Sequence, residues 1–553
     1  MVVPVLVGVG CTTQRRPENV FDGLDPIDLS VESLEMALQD AGVSRDCIEA
    51  VVFVDMLSEL RLDRKDAPAF KNPPLSVVQR AKLVNTSPDK CFLSTLGGNA
   101  SQFCVNEAAE RIANGEFDCA LVTGAEAIDT LMQAKKRGYK IAVGGVSSEH
   151  DKVFAWGDNP LPGTFPTRIG SSEKVNSLQD LLHGLVDMPN AYALVEQAVR
   201  LADGVSWETR QHGNAKMFHG YSTVAKENEK NSWFPQERSV ANIETVTSDN
   251  RWVAYPYPKL MCAIMDVNQA ASIIVMSDEK ARSLGVPEEK WVYLHGCADC
   301  NDPSPRLLER PNFARCPGMG IVAKMTFESA NIPVGRVSLF DVYSCFPVAV
   351  RMACREFGID TVVDIENNSK QLTVTGGLPF HGGPGNNYST HGIVQIVHRL
   401  REEPGTFGLV TANGGTLSKH SAGVYSTTPY SITHPKHPNQ FRRPSCTRHL
   451  KALAHTRVKT PLNPGNCTGR IQYFTVAYQA KTQAIVVGEV LTGSQVGKRF
   501  IAISTAEDTV KEFTNSKCDE DLIGRDIQIT TVDTTNKGKA FVSKFKFLPK
   551  ANL

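Results

Sequence analysis

Apolar and polar positions alternate along the first part of the chain in a pattern that predicts strands separated by helices. Val3–Val9 is a continuous apolar run, which is typical of a strand buried on both faces. Leu29, Leu34 and Leu38 follow at helical spacing, and Gly42 ends that helix. Further elements are predicted in turn at Ile48–Val54, Cys91–Leu96, Ala100–Asn114 and Ala120–Gly124. This order favours a mostly parallel sheet covered by helices.

The same alternation returns after a long interruption. Residues 130–250 are rich in charges, Trp, Pro and Gly, and they predict an excursion from the core. The core resumes at Ala270–Met276, and a second alternating stretch runs from Trp291 to about Thr428. Two similar stretches in tandem predict an internally duplicated α/β fold.

The period of the pattern changes near the end of the chain. Residues 429–458 are rich in Pro, His, Arg and Ser and predict a linker. Ile471–Tyr478 and Phe541–Phe547 then alternate with a period of two, which predicts a small antiparallel barrel or sandwich. The predicted parts are therefore residues 1–129 with 251–285, 130–250, 286–428, 429–458 and 459–553.

Composition narrows the class of protein. The 553 residues hold 59 Lys and Arg against 59 Asp and Glu, so net charge gives no reason to expect a nucleic-acid or membrane partner. The 14 Cys are scattered, and neither a secretory signal nor a membrane-spanning run is present in the pattern. We expect a soluble intracellular protein with free thiols. The final Ala551-Asn552-Leu553 is either a variant peroxisomal import tail or a frayed end, which leaves a peroxisomal or cytoplasmic location.

Four loops carry the candidate chemistry, each at the end of a predicted strand. The first, STLGGNASQ at 94–102, precedes a helix, where backbone N–H groups favour negative charge. The others are DVYSCFP at 341–347, GGLPFHGGPGNNY at 376–388 and ANGGTLSKH at 412–420.

In order and spacing these loops resemble those of the thiolase superfamily over roughly residues 1–430. The amino-acid sequence of the third loop and the β-rich C-terminal part resemble those of thiolase-like proteins of type 1, which are related to sterol-carrier-protein thiolases. The resemblance implies a duplicated, five-layered αβαβα thiolase fold with a loop-domain excursion and an added C-terminal β barrel. It also implies a CoA thioester as ligand, with no resident cofactor or metal.

The resemblance assigns four catalytic positions, and none carries the usual residue. Gly97 or Gly98 stands at the nucleophile turn, where a thiolase has Cys, and we take Gly98 as the matching position. Tyr343 replaces the His or Asn of the oxyanion hole, Gly383 replaces the activating His, and Ala412 replaces the acid/base Cys. Ordinary thiolytic cleavage or Claisen condensation is therefore not expected, because losing one member of such a unit removes most of its effect.

Other residues of the same loops offer chemistry. One hypothesis is a repurposed acyl-CoA site near Tyr343, with Ser344 or Cys345 as nucleophile and His381 or His420 as base. The alternative is that Cys345 packs behind its loop and that the histidines, His391 among them, only anchor the loops by hydrogen bonds.

Three further features have two interpretations each. The pair Cys297 and Cys300 has C-x-x-C spacing, but no second pair follows, so free thiols are favoured over zinc. The basic run Lys135, Lys136 and Arg137 either holds the CoA phosphates or forms a solvated face. Beyond residue 456 there are 14 Lys and Arg against nine Asp and Glu, but the aromatic residues there fit a barrel core, so nucleic acid is not expected.

The sequence thus predicts an acyl-CoA-related protein, similar to acetyl-CoA acetyltransferases, in lipid or acyl-CoA metabolism. Whether it is an acyltransferase stays open. The rival hypothesis is a non-enzymatic binder of acyl-CoA or lipid, and a third is a scaffold that acts through its C-terminal domain. The state expected in solution is a monomer or a homodimer.

Overall fold

The computed structural model describes residues 2–62, 69–158, 164–453, 457–458, 460, 463–479, 481–514, 522–535 and 540–548. The C-terminal tail Ala551-Asn552-Leu553, for which we predict either import or fraying, lies outside these residues. Among the described helices, none is long and apolar enough to cross a membrane.

The first half alternates strands and helices as the pattern predicts. Its elements begin with β1 Pro4–Thr13, α1 Pro26–Ala41, β2 Ala50–Phe53, α2 Pro73–Arg80, β3 Cys91–Ser94, α3 Ala100–Ala113, β4 Cys119–Ala127 and α4 Ile128–Lys136. Asp25 caps α1 by accepting hydrogen bonds from two N–H groups of the first turn, and Gly42 ends the helix with φ of 70°.

The excursion contains helices and short strands and then returns to the core. It holds β5 Lys140–Val143, β6 Val153–Trp156, β7 Thr167–Ile169, α5 Leu178–Leu182, α6 Met188–Asp203, α7 Trp207–Glu227 and α8 Val240–Glu244. There follow β8 Trp252–Ala254, β9 Tyr257–Pro258, β10 Asn268–Ser277 and α9 Asp278–Ser283.

The second half and the segment after it continue the chain. They comprise β11 Val292–Asn301, α10 Pro317–Ala330, β12 Val337–Asp341, α11 Pro347–Phe357, α12 Gly377–Phe380, α13 Tyr388–Glu402, β13 Phe407–Gly414, β14 Lys419–Ser426, α14 Tyr430–Thr433 and α15 Thr447–Leu453. The last part contains β15 Cys467–Ala477, β16 Gln483–Val490, β17 Arg499–Ser504, α16 Glu507–Glu512, β18 Asp526–Asp533 and β19 Phe541–Phe547.

The sheet order confirms the predicted internal duplication. The main sheet runs β12-β13-β14-β11-β1-β10-β4-β2-β3-β7. From the contact between β1 and β11 outward, the strand order is β1, β10, β4, β2 in the first half and β11, β14, β13, β12 in the second half. In both halves the outermost two strands pair in parallel, and the other neighbouring strands pair antiparallel. The two halves are therefore copies of one unit.

Helices α3 and α13 lie between the two half-sheets and contact both of them. Helices α1 and α2 cover the outer face of the first half-sheet, while α10 covers β11 and β14 with α11 beside it. This is the predicted α-β-α-β-α layering. Its middle core contains Val105 and Ile112 of α3, Ile393 and Ile396 of α13, and Val410 of β13.

The C-terminal strands close into a barrel of five strands. The order is β15-β16-β17-β19-β18, and β15 pairs with β16 as well as with β18. The pairs are antiparallel as predicted, except that β17 and β19 run parallel through the pair Ile503 and Lys544. A five-stranded barrel of this order is an OB-type fold. Phe545 lies in its core, as the sequence indicates.

Two short segments, one in the excursion and one directly after it, join larger sheets, which the sequence does not indicate. Strand β7 adds a parallel edge to β3. Strands β8 and β9 form a hairpin that extends the barrel sheet, because Ala254 pairs with Ala477 of β15. The hairpin lies in residues 251–285, which the sequence assigns to the first half. The division of the chain into five parts stays a prediction.

Candidate functional site

The first and third loops meet at the N-terminus of α3. Gly97 donates its N–H to Asn386 Oδ1 at 3.1 Å, and Asn386 Nδ2 donates to the carbonyl of Asp55 at 2.7 Å. Ser101 in the first turn of α3 donates its hydroxyl to the Asn386 carbonyl at 2.6 Å. One asparagine thus fixes the turn that precedes α3 to the loop that precedes α13.

The second loop places Tyr343 against the turn. A Cβ on Gly98 would come well under 3.0 Å from the Tyr343 hydroxyl and from the carbonyl oxygen of Asn413, a separation that real Cβ atoms do not show. The Tyr343 N–H donates to Thr411 Oγ1 at 3.0 Å, and its ring packs edge-on against Tyr388 with centroids 5.6 Å apart. Glycine is therefore the residue that this turn accommodates.

The Tyr343 side chain is nearly buried, with 7% of its surface exposed. Burial raises the pKa of its phenol far above the ordinary value of 10.0. Among the described residues, no hydrogen-bond partner is recorded for the hydroxyl. A neutral phenol next to a helix N-terminus can donate a hydrogen bond to a carbonyl oxygen, but it cannot act as a base near pH 7.

Ser344 and Cys345 point into the packed interior. The Ser344 hydroxyl oxygen accepts from the N–H of Leu378 at 3.2 Å. Cys345 is 8% exposed, and burial, opposed by a hydrogen bond to Tyr192, raises the pKa of its thiol to about 12. A thiol of this kind stays protonated, so Cys345 is a poor nucleophile.

His381 and His391 form a buried pair with ring centroids 5.1 Å apart. In the described part of the chain, none of their four ring nitrogens has a hydrogen-bond partner. Burial lowers the pKa of His381 to about 3, and that of His391 also falls well below its ordinary value. Neither ring is hydrogen-bonded to Ser344 or Cys345, so these residues are not assembled as a nucleophile and its base.

His420 contacts Cys316 and not Ser344 or Cys345, for which the sequence suggests it as a base. Its Nε2 lies 3.3 Å from the sulfur of Cys316, which in turn lies 3.8 Å from Asp302 Oδ2. Burial, assisted by the charge of Arg310, lowers the pKa of His420 to about 3. Cys316 is the next thiol after the Cys297 and Cys300 pair, and the sequence predicts no partner for it. It lies directly before Pro317, the first residue of α10.

A cavity of about 280 Å³ lies beside the α3 N-terminus. It is lined by Thr95, Asn99, Ala100, Phe103, Gly170, Ser171, Asp299, Cys300, Asn301, Lys419, His420, Cys446 and Leu450. Lys419 Nζ donates to the carbonyls of Leu96 and Ser171 at 3.0 and 2.9 Å. The helix end and this ammonium each bring positive charge to the cavity, while Asp299 in its lining is paired with Arg443.

Two thiols of this cavity form a hydrogen-bonded pair. The Cys300 thiol donates to the Asn301 carbonyl at 3.2 Å, and a hydrogen bond with Cys300 lowers the pKa of Cys446 to about 7. Cys446 is only half-buried, whereas the other cysteines in the described residues are buried. Cys297, the other member of the C-x-x-C spacing, is buried on the same strand as Cys300 and packs in the middle core.

The remaining predicted positions lie apart from this cavity. Gly383 donates its N–H to the Ile264 carbonyl at 2.8 Å, and Ala412 is buried on β13. In the basic run, Lys135 Nζ donates to the Arg61 carbonyl and Arg137 donates to the Glu18 carbonyl at 2.9 Å. Lys136 is exposed beside them. Their role in binding phosphates stays a prediction.

Comparison with known proteins agrees with this architecture. A monomeric SCP2-thiolase like protein type 1 from Mycobacterium smegmatis is 31% identical, with a TM-score of 0.75 over 99% of this chain and 100% of that chain. The Ltp2-ChsH2(DUF35) aldolase is 16% identical, with a TM-score of 0.55 over 77% of this chain and 97% of that chain. Acetyl-CoA acetyltransferase from Syntrophomonas wolfei is also 16% identical, with a TM-score of 0.53 over 77% and 100%. No family model and no curated protein matches the chain.

The layering, the duplicated strand order and the loops at the α3 N-terminus define a thiolase fold with an added barrel. The two similarities at 16% identity support the fold alone. At 31% identity over nearly its whole length, the chain belongs to the SCP2-thiolase-like proteins of type 1.

Proposed function

We propose that this protein binds an acyl-CoA thioester in the thiolase cleft and does not form a covalent acyl-enzyme. The observation that carries the proposal is the contact between Gly98 and Tyr343. Where the resemblance places a nucleophilic cysteine, the phenol and the Asn413 carbonyl leave no room for a side chain. The standard Cys, His and Cys set is absent under this proposal, and Tyr343 occupies the space beside Gly98.

The cavity beside α3 is the space we assign to the acyl end of the thioester. Its volume of about 280 Å³ suits a short acyl group better than a long chain. The positive end of α3 and the Lys419 ammonium favour the partly negative oxygen of a thioester carbonyl. The basic run from Lys135 to Arg137 remains our candidate for the CoA phosphates.

The other hypotheses receive less support from the contacts. An acyl-enzyme on Cys345 or Ser344 lacks a base, since His381 and His420 have no hydrogen bond to either residue. A scaffold role through the barrel would need a free barrel face. Tyr473 of β15 instead stacks on Phe313 at 4.9 Å, and Arg499 of β17 donates to the Leu308 carbonyl at 2.9 Å.

The test measures binding and covalent chemistry together. The purified chain is titrated with acetyl-CoA and acetoacetyl-CoA by calorimetry, then incubated with each for intact-mass analysis and assayed for CoA release. We expect saturable binding without a mass increase. An adduct that forms and turns over would contradict the proposal, and absence of binding to either thioester would remove it.

A cavity-filling variant locates the ligand. Leu450→Trp places a larger side chain in the cavity, and we expect the affinity for acetyl-CoA to fall by roughly tenfold or more. Leu450→Met nearly conserves volume and serves as the matched control. Equal affinities for the two variants would place the ligand elsewhere.

We further propose that the chain acts as a monomer in lipid or acyl-CoA metabolism. The similar mycobacterial protein is monomeric, and β7 covers the β3 edge of the main sheet, where another copy would otherwise pair. Light scattering coupled to gel filtration tests the monomer. The peroxisomal or cytoplasmic location is tested by imaging the chain with and without its last three residues.

A further inference from the structure

Three side chains with metal-binding atoms converge behind the fourth loop. Asp302 follows β11, Cys316 precedes α10, and His420 lies on β14. One ligand atom from each residue lies within 4.8 Å of the other two, and all three residues are buried. The measured separations are 3.3 Å from Cys316 Sγ to His420 Nε2 and 3.8 Å from Cys316 Sγ to Asp302 Oδ2.

These separations match the edges of a tetrahedral zinc site. Zinc binds sulfur at about 2.3 Å and nitrogen or oxygen at about 2.0–2.2 Å, so two ligands at the tetrahedral angle stand roughly 3.3–3.6 Å apart. The two distances that involve Cys316 fall within a few tenths of an ångström of that range. The two edges at Cys316 therefore need little movement to bind an ion, and the third edge is at most 4.8 Å.

The surrounding backbone holds the Asp302 carboxylate in place. Its Oδ1 accepts from the N–H of Ser304 at 2.8 Å, and its Oδ2 accepts from the N–H of Gly318 at 3.2 Å. Such outer hydrogen bonds orient a ligand and leave a lone pair on each oxygen for a metal. The imidazole of His420 is placed by the sheet, because Cys300 of β11 pairs with His420 of β14.

The charges and a route for the ion also fit. A thiolate and a carboxylate would together neutralise a divalent cation in this buried place. The Arg310 guanidinium nearby is held by carbonyl oxygens, with bonds of 2.6 and 2.7 Å to Thr416 and Leu417. His420 also lines the cavity beside α3, so this cavity is the side from which an ion would approach the cluster.

We propose that Asp302, Cys316 and His420 bind one Zn²⁺ or a similar borderline divalent cation, through Oδ2, Sγ and Nε2. On binding, the Cys316 S–H bond breaks, its electron pair goes to the metal, and the proton leaves to solvent. The ion joins β11, α10 and the fourth loop behind the cleft. The proposal goes beyond thioester binding and does not depend on it. The sequence predicts no metal, because no second pair of ligands follows the Cys297 and Cys300 pair and Cys316 is the next thiol.

The first test measures metal in the untagged protein. The chain is produced in zinc-supplemented medium, purified without chelator and analysed by inductively coupled plasma mass spectrometry. We expect about one equivalent of zinc per chain. Exchange into Co²⁺ should give tetrahedral d–d bands together with sulfur-to-cobalt charge-transfer absorption. A folded chain that holds less than about a tenth of an equivalent and gives no cobalt spectrum overturns the proposal.

Variants assign the ligands. Cys316→Ser should abolish the charge-transfer absorption, and His420→Gln should weaken zinc affinity by more than roughly tenfold. Cys297→Ser changes a buried cysteine outside the cluster and should keep full metal content. Circular dichroism checks folding. If both ligand variants retain the wild-type metal and spectrum, the cluster is only a hydrogen-bonded thiol and imidazole. If they do not fold, the cobalt spectrum of the wild-type chain decides.

Discussion

The Tyr343 hydroxyl lies where a side chain on Gly98 would have to stand. The second loop thus closes the space at the α3 N-terminus that the resemblance assigns to a nucleophile. The Asn413 carbonyl closes the same space from the fourth loop, so neither loop leaves room for a side chain at position 98. A cysteine introduced at position 98 alone is therefore expected to disturb both loops.

Gly98→Ala tests this contact through stability. The added methyl overlaps two neighbours, and we expect a loss of about 1–3 kcal/mol in the free energy of unfolding by urea. In a Tyr343→Phe background the loss should be smaller, because one of the two overlapping oxygens is gone. Gly335→Ala is the control, since open space surrounds that glycine. Equal losses in both backgrounds would show that the two residues do not interact.

Asn386→Ala tests the joint between the first and third loops. The change removes the acceptor of the Gly97 N–H and the donor to the Asp55 carbonyl, and we expect a loss of about 1–3 kcal/mol with weaker thioester binding. Asn386→Asp keeps an acceptor for Gly97 but no amide donor, so its effect should be intermediate. An alanine variant as stable as the wild type would exclude a role for this joint.

His381 predicts a specific pH dependence. Its folded pKa of about 3 lies below the ordinary value of 6.5, so the unfolded chain binds an extra proton between these two values. Its contribution to stability is complete above pH 6.5 and is lost as pH falls, by about 1.4 kcal/mol per pH unit. His381→Gln should reduce the slope of stability against pH by that amount between pH 6 and 4.

The effect of His381 must be measured as the difference between variants, because a single curve of stability against pH contains other buried groups. Burial raises the pKa of Glu126 to about 7 and that of Asp341 to about 6, so these carboxyls stabilise the fold as pH falls and oppose the histidine. His150→Gln, at an exposed histidine away from the buried pair, is the matched control for the substitution itself. The same slope in wild type and His381→Gln would contradict the buried neutral imidazole.

Cys446 should be the first of the described cysteines to react with iodoacetamide. Its pKa of about 7 makes it largely thiolate at pH 8, whereas burial keeps Cys345 protonated. Peptide mass spectrometry over a pH series should give a labelling midpoint near 7. Cys300→Ala removes the hydrogen-bond donor and should move the midpoint upward. Slower labelling with acetyl-CoA present would agree with the cavity assignment, and prior labelling of Cys345 would refute the prediction.

Arg443 holds residues 429–453 against α3. Its guanidinium contacts Asp299 at 2.7 Å, Glu110 at 3.0 Å and Glu107 at 2.5 Å, and lies over the Phe103 ring at 4.7 Å. Arg443→Ala leaves three carboxylates without this partner, and we expect a loss of about 3–5 kcal/mol.

Limited proteolysis gives a second measure of the same contact. Cleavage between residues 429 and 458 should become faster in Arg443→Ala. Arg442→Ala changes a neighbouring exposed arginine and should leave the cleavage rate unchanged. A rate unaffected by either change would mean that other contacts hold this segment.

The sequence was informative where periodic patterns are long. It predicts the end of α1 at Gly42, places α3 within one residue, and indicates the duplication that the strand order confirms. It misses β7, β8 and β9, because strands of two or three residues carry no periodic signal. It also misses Cys316, since nothing local shows that a helix start meets His420 from a strand more than 100 residues later.

The sequence predicts which loops form the candidate site but not how their side chains contact one another. Turn residues and strand ends place Gly98, Tyr343 and Asn413 at one edge of the sheet. That Tyr343 fills the space above Gly98 depends on packing between the two halves, which no single stretch of sequence encodes. The absence of hydrogen bonds from His381 to Ser344 is likewise a matter of tertiary packing.

The hairpin of β8 and β9 has a consequence for the order of events during synthesis. Ala254 leaves the ribosome about 220 residues before its partner Ala477. At about 5–20 residues per second, the hairpin waits roughly 10–45 s with an unpaired edge. The barrel therefore pairs with a hairpin that was synthesised long before it. Until translation ends, the nascent first half must keep the edge of that hairpin from pairing with other strands.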